Sequence, residues 1–168
     1  LYNHYKSKQA IFDAILESSA ARYDTFTGNL SLHMESAARD APAFEHISAD
    51  FLAETVKKIF LYSIHDETVS QTRKMMTIEQ FRNSEIAETY TKRYVERIVA
   101  YHSDIFRPLM QHGEIKAEKP DALAILYVAP VITLIGICDR NPERENECLE
   151  KLDAHIKLFF ETFGGGRR

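Results

Sequence analysis

Between Pro120 and Arg140 the chain reads PDALAILYVAPVITLIGICDR. From Ala122 to Cys138 no charged residue interrupts it. A helix carrying this segment is apolar on every side and needs covering from more directions than a surface helix does. Pro120 and Asp121 mark its start, because proline suits a first turn whose N–H groups lack intrahelical acceptors and an acid there complements the helix dipole. Pro130 implies a local kink, and Gly136 permits close approach of another helix. The segment lies at the short limit for a membrane span and lacks aromatic anchors and basic residues at both flanks. Membrane insertion is therefore not expected, and cover by a partner chain is.

Working downstream, Asn141-Pro142-Glu143 predicts another helix start, a capping side chain followed by a pre-set first residue and an acid. Leu149, Leu152, Ile156, Phe159 and Phe163 then recur in alternating steps of three and four, a narrow seam of coiled-coil type. Ile132, Gly136, Leu149, Leu152, Ile156 and Phe159 are accordingly the expected homodimer interface. Upstream, Asn83 or Ser84 caps a long helix reaching about His112, broken near its end by Pro108 and stopped by Gly113. It carries two apolar rails, one through Ile86, Tyr90, Tyr94, Tyr101 and Ile105, the other through Val95, Val99, His102, Phe106 and Met110.

Three further helices precede it. The first runs from Lys8 to about Leu30 behind Ser7, with Phe12, Leu16, Tyr23, Phe26 and Leu30 on one stripe. A polar stretch from Ser31 to Ala41 ends at Pro42, and the second helix is expected from Ala43 to Ser63. The third opens at Asp66-Glu67 and carries Val69, Met75, Met76, Ile78 and Phe81. The fold class is thus all-α, about six helices, with one ordered domain over residues 8–163 and a flexible glycine-arginine tail over 164–168.

Composition narrows the function. A hydrophobic share of 45% with 27% charged residues is globular, and 6 Gly with 5 Pro are too few for a turn-rich β-sandwich. A net charge of −4 argues against a self-sufficient nucleic-acid binder. Two cysteines, Cys138 and Cys148, fit free thiols in a reducing cytoplasm. Seven histidines include no His-x-x-x-His or Glu-x-x-His spacing, so no metal is expected. No phosphate loop or nucleophile elbow is present, and neither catalysis nor a cofactor is expected.

The sharpest motif is Leu1-Tyr2-Asn3-His4-Tyr5-Lys6-Ser7-Lys8-Gln9-Ala10-Ile11. It resembles the junction between the recognition helix and the next helix in the TetR family of transcription regulators. A softer likeness lies in Thr77-Ile78-Glu79-Gln80-Phe81-Arg82-Asn83-Ser84-Glu85-Ile86-Ala87, similar to the boundary before the family's long central helix. The resemblance implies that residues 1–7 are the remnant of a helix-turn-helix headpiece, most of which is missing from this sequence. It implies an Ω-shaped homodimer joined by a four-helix bundle from the last two helices, operator DNA as partner, and repression as the default outcome. Tyr2, Asn3, His4, Lys6 and Lys8 then match positions near the DNA backbone, where phenol, imidazole and ammonium groups donate to phosphate. The fragment itself is not expected to bind DNA.

An effector pocket is expected between the inner rail of the long helix and its neighbours, lined by some of Phe51, Thr55, Met75, Met76, Tyr94, Tyr101 and Tyr127. Methionine adapts to varied ligands, and tyrosine supplies a ring with a hydroxyl that fixes orientation. With no Arg or Lys cluster expected on the same rails, the ligand expected is a small apolar or aromatic molecule. The alternatives are a helical binding or scaffold protein without DNA function and, less favoured, a helical enzyme.

Overall fold

The computed structural model of the protein describes residues 8–165. These residues are helical, and beyond helices the described part holds one isolated antiparallel bridge, Ile115 with Gly164. The order is α1 (Lys8–Asn29), a short α2 (Ala37–Asp40) with a 3-10 turn (Ala41–Phe44), α3 (Ala49–His65) and α4 (Glu67–Glu79). Next, α5 (Ser84–Thr91) runs through a π turn (Lys92–Glu96) into α6 (Arg97–Gln111). Then come α7 (Pro120–Arg140), a 3-10 turn (Pro142–Arg144) and α8 (Glu145–Phe163).

Side-chain caps set several of these boundaries. Asp66 accepts from the Val69 amide, Asn83 from the amides of Glu85 and Ile86, and Ser48 from Phe51. The Ser48 cap corrects the expected start of the second helix from Ala43 to Ala49. The preceding stretch is not a plain loop, because Asp40 is buried and gathers it. Its carboxylate accepts from the His33 amide and from the Tyr101 hydroxyl at 2.6 Å, and His33 Nδ1 lies 2.9 Å away. Burial opposes the charge of Asp40, yet the bonds from Tyr101 and His33 hold its carboxyl below the usual range.

Two other boundaries differ from expectation. Pro108 does not break the long helix, which continues to Gln111; so close to its end, the missing amide removes one bond from a ladder that is about to stop. Asn141 does not cap the last helix. Its amide turns back toward the Ile137 carbonyl, and a 3-10 turn intervenes before Glu145. On α1 the buried positions are the small residues Ser19 and Thr27, whereas the stripe from Phe12 to Leu30 is half-buried and Ile15 beside it is exposed. α1 packs against α4.

α7 contacts α3, α6 and α8, and α8 also lies along α3. This arrangement places the α8 seam within the chain's own core. Leu152, Ile156 and Phe159 are buried in the chain's own core at 1%, 0% and 8% exposure, with Leu149 half-buried beside them. What α7 and α8 leave exposed is a different set, Ile125, Leu126 and Leu158. α7 has the length and mean hydropathy, 2.1, of a membrane span, with 33% of the window buried.

The end of α8 is tied to the α6–α7 connection. The Lys116 amide donates to the Phe163 carbonyl, and the Gly165 amide to the Glu114 carbonyl at 2.6 Å. Glycine is needed at 165, since a Cβ there would meet the Gly113 carbonyl oxygen. Gly113 itself turns the chain at φ 77°. Gly164 and Gly165 are thus held, although both fall in the expected tail; residues 166–168 lie outside the described part.

Asp66 gives a pH prediction. Its carboxylate is buried against the exposed Arg22, whose Nε lies 3.0 Å from Oδ2. The hydrogen bond from Arg22, then that from the Val69 amide, hold it down to about 2 against the opposing effect of burial. A carboxyl depressed by folding stabilises above its unfolded value, and the stability is lost as pH falls through the folded one. Acid titration of unfolding should therefore show stability decreasing from about pH 4 toward about 2. In Asp66→Asn, part of that dependence should vanish while stability at pH 7 is lower. An unchanged acid limb would remove Asp66 from the linkage.

Candidate ligand cavity

A cavity of about 570 Å³ opens beside the long α5–α6 helix. α1 contributes Ser19 and Tyr23, α3 contributes Thr55, Val56, Ile59 and Phe60, and α7 contributes Tyr127, Val131, Ile132 and Ile135. The long helix presents Tyr90, Tyr94, Tyr101 and His102 to it. That volume is within the range of small-molecule sites, which are mostly apolar with a few placed polar groups. The π turn lies at the cavity wall, and such turns inside α-helices are frequent at functional sites.

The polar groups differ in how far they are committed. Tyr101 donates its hydroxyl to Asp40, so it offers the cavity chiefly its ring. His102 Nδ1 bonds to the Ile98 carbonyl at 2.8 Å, and burial pulls its pKa to about 4 against the effect of that bond. The imidazole is therefore neutral at neutral pH, with Nδ1–H donating and Nε2 left as an acceptor. Burial raises the Tyr127 phenol and pushes Tyr23 up to about 12, so both stay protonated. Tyr94 is the exception: its hydroxyl is buried beside the Arg93 guanidinium, itself a donor, and among the described residues its own O–H finds no acceptor.

Of the residues expected to line a pocket, Thr55, Tyr94, Tyr101 and Tyr127 do so. Phe51 points away, 62% exposed at the start of α3. Met76 is fully buried and Met75 half-buried, both outside the lining. Two residues assigned to the interface line this cavity instead, Ile132 and Gly136. A Cβ at Gly136 would stand 3.4 Å from Arg140 Nη1, so the glycine leaves room for the Arg140 guanidinium to lie back along α7. Tyr2, Asn3, His4 and Lys6 fall outside the described residues, as does the side chain of Lys8.

The expectation that no basic cluster faces the rails is corrected. Arg73, Lys74, Arg93, Arg97 and Arg140 all line the cavity, against the two carboxylates Asp24 and Asp139. Arg73 is neutralised by a two-pronged pair with Asp139, both bonds 2.7 Å, and also donates to the Ser63 carbonyl. The others were legible only in part. Tyr90, Arg93, Tyr94 and Arg97 recur at three- and four-residue steps, but arginines beside a rail read as a solvated face until the packing is known.

No family model, no curated protein and no solved structure matches this chain. The chemistry of the cavity must therefore be read from its own residues. A second cavity, about 870 Å³, lies toward the end of α8 and shares Phe44, Leu52, His102 and Tyr127 with the first. Its rim carries the pairs His46–Glu114 at 3.0 Å and His112–Glu45 at 2.9 Å. Among the described residues, no three His, Cys, Asp or Glu side chains are grouped to hold a metal ion.

Proposed function

We propose that the chain is the effector-sensing core of a TetR-type transcription regulator, acting as a homodimer. The observation that carries this reading is the cavity against the long central helix, in a chain whose Leu1–Ile11 motif resembles a headpiece junction. A cleft of this size, apolar within and carrying a few placed polar groups, is the form that small-molecule sites take. An effector entering it would be linked reciprocally to DNA affinity through two dimer conformations.

The dimer surface in this reading is the exposed apolar face of α7 and α8 around Ile125, Leu126 and Leu158 rather than the buried seam. The headpiece would precede Leu1 and carry the base-reading residues. Tyr2, Asn3, His4, Lys6 and Lys8 would then contact phosphate.

The test is DNA binding by the chain joined to its upstream sequence. It should bind a palindromic site with steep salt dependence, and the 168-residue chain alone should not. Lys8→Ala in the longer protein should weaken binding to every sequence and flatten the salt slope by about one unit. Failure of the longer protein to select any DNA site would overturn the regulator reading and favour a helical binding protein without DNA function.

A further inference from the structure

The charge around the cavity is out of keeping with the chain. The net charge is −4, yet five cations and only two carboxylates line this one space. Two of the seven cancel in the buried Arg73–Asp139 pair. Of the remainder, Asp24 comes no closer to Arg97 than 4.0 Å, beyond hydrogen-bond distance. Arg93 spends one N–H on the Leu16 carbonyl at 3.2 Å and sets its guanidinium 5.7 Å from the centre of the Tyr94 ring. Lys74 and Arg140 make no ion pair or side-chain hydrogen bond among the described residues.

These groups are arranged with a direction. Arg97 and Arg140 are exposed, Lys74 and Arg93 half-buried, so the cations stand at the mouth. Farther in, Phe60, Tyr127 and Val128 are almost fully buried, and the wall there is aliphatic and aromatic. The Tyr94 O–H, buried beside Arg93 and without an acceptor among the described residues, adds a donor. An unsatisfied buried hydroxyl costs free energy until something accepts from it.

We infer that the cavity takes an amphiphilic carboxylate, with its apolar body inside and its carboxylate at the mouth near Arg93, Tyr94 and Arg140. This rests on the reading of the cavity as a ligand site and names the ligand's chemical class. A planar guanidinium pairs a carboxylate through two parallel N–H bonds, and the phenol completes the set. A neutral apolar molecule would fill the interior but leave the Tyr94 hydroxyl unpaired and the cations uncompensated. A free small anion would meet the mouth but gain nothing from the interior.

The experiment is calorimetric titration of the chain with decanoate and with 1-decanol, which share a tail and differ in the head. Decanoate should bind at least about tenfold more tightly, the size expected of a charge-assisted pair. The preference should collapse in Arg93→Gln/Arg140→Gln, and Tyr94→Phe should weaken decanoate more than 1-decanol, whose uncharged oxygen is the weaker acceptor. Equal affinities, or a preference that survives the double variant with its helical circular dichroism intact, would overturn the carboxylate assignment and leave the cavity standing. Ile132→Trp fills the interior and separates the two readings: it should abolish both ligands. If both still bind, the tail is not in this cavity and the ligand-site reading fails with it. No binding of decanoate at all also overturns the inference.

Discussion

Asp139→Ala is expected to lower the free energy of unfolding by about 3–5 kcal/mol, the usual cost of removing one partner of a buried ion pair. The side chains of Arg73 and Asp139 are 8% and 12% exposed, so the guanidinium left behind has little access to solvent where it stands. Its remaining bond, to the Ser63 carbonyl, satisfies one N–H and neutralises nothing. The pair itself is a poor source of net stability, because both charges must be stripped of water to form it. Arg73→Met with Asp139→Leu should therefore recover most of the loss. Denaturant titration of the single and double variants decides this, and a double variant no more stable than the single would mean that the bridge is worth more than its desolvation costs.

Ile156→Ala should cost about 2–5 kcal/mol, since a fully buried side chain leaves a cavity that the surroundings only partly fill. Leu126→Glu should behave differently. Leu126 is 57% exposed on a face that the chain's own core does not use. In the dimer reading, a charge there breaks association while the isolated chain stays helical. Light scattering and unfolding at two protein concentrations tell the faces apart. If Ile156→Ala left stability untouched and shifted only the oligomeric state, the seam would be intermolecular after all.

The local signals carried the elements well where the physics is local. Asp66 and Asn83 cap helices because their side chains reach amides two or three residues on, a relation visible in the sequence. Pro120 opens α7 for the same kind of reason. α2 had no such signal, because the partner that fixes buried Asp40 is Tyr101, remote in sequence. The seam on α8 shows the limit of periodicity: its spacing requires burial but does not say by which chain. The basic rim had the same ambiguity, since a long arginine reads alike on a solvated face and at the mouth of a cavity.

The π turn at Lys92–Glu96 has a consequence for the numbering of the helix rather than its chemistry. It holds one residue more than an unbroken α-helical ladder needs, so the faces of α5 and α6 keep the phase of a single shorter helix. Deleting one residue inside the turn would leave Ile86 and Ile105 pointing as they do now. Deleting one anywhere else in α5 or α6 would twist one half against the other by about 100° and carry a buried face into water. Length variation in this helix therefore has one tolerant position, and it lies in the wall that the ligand would touch.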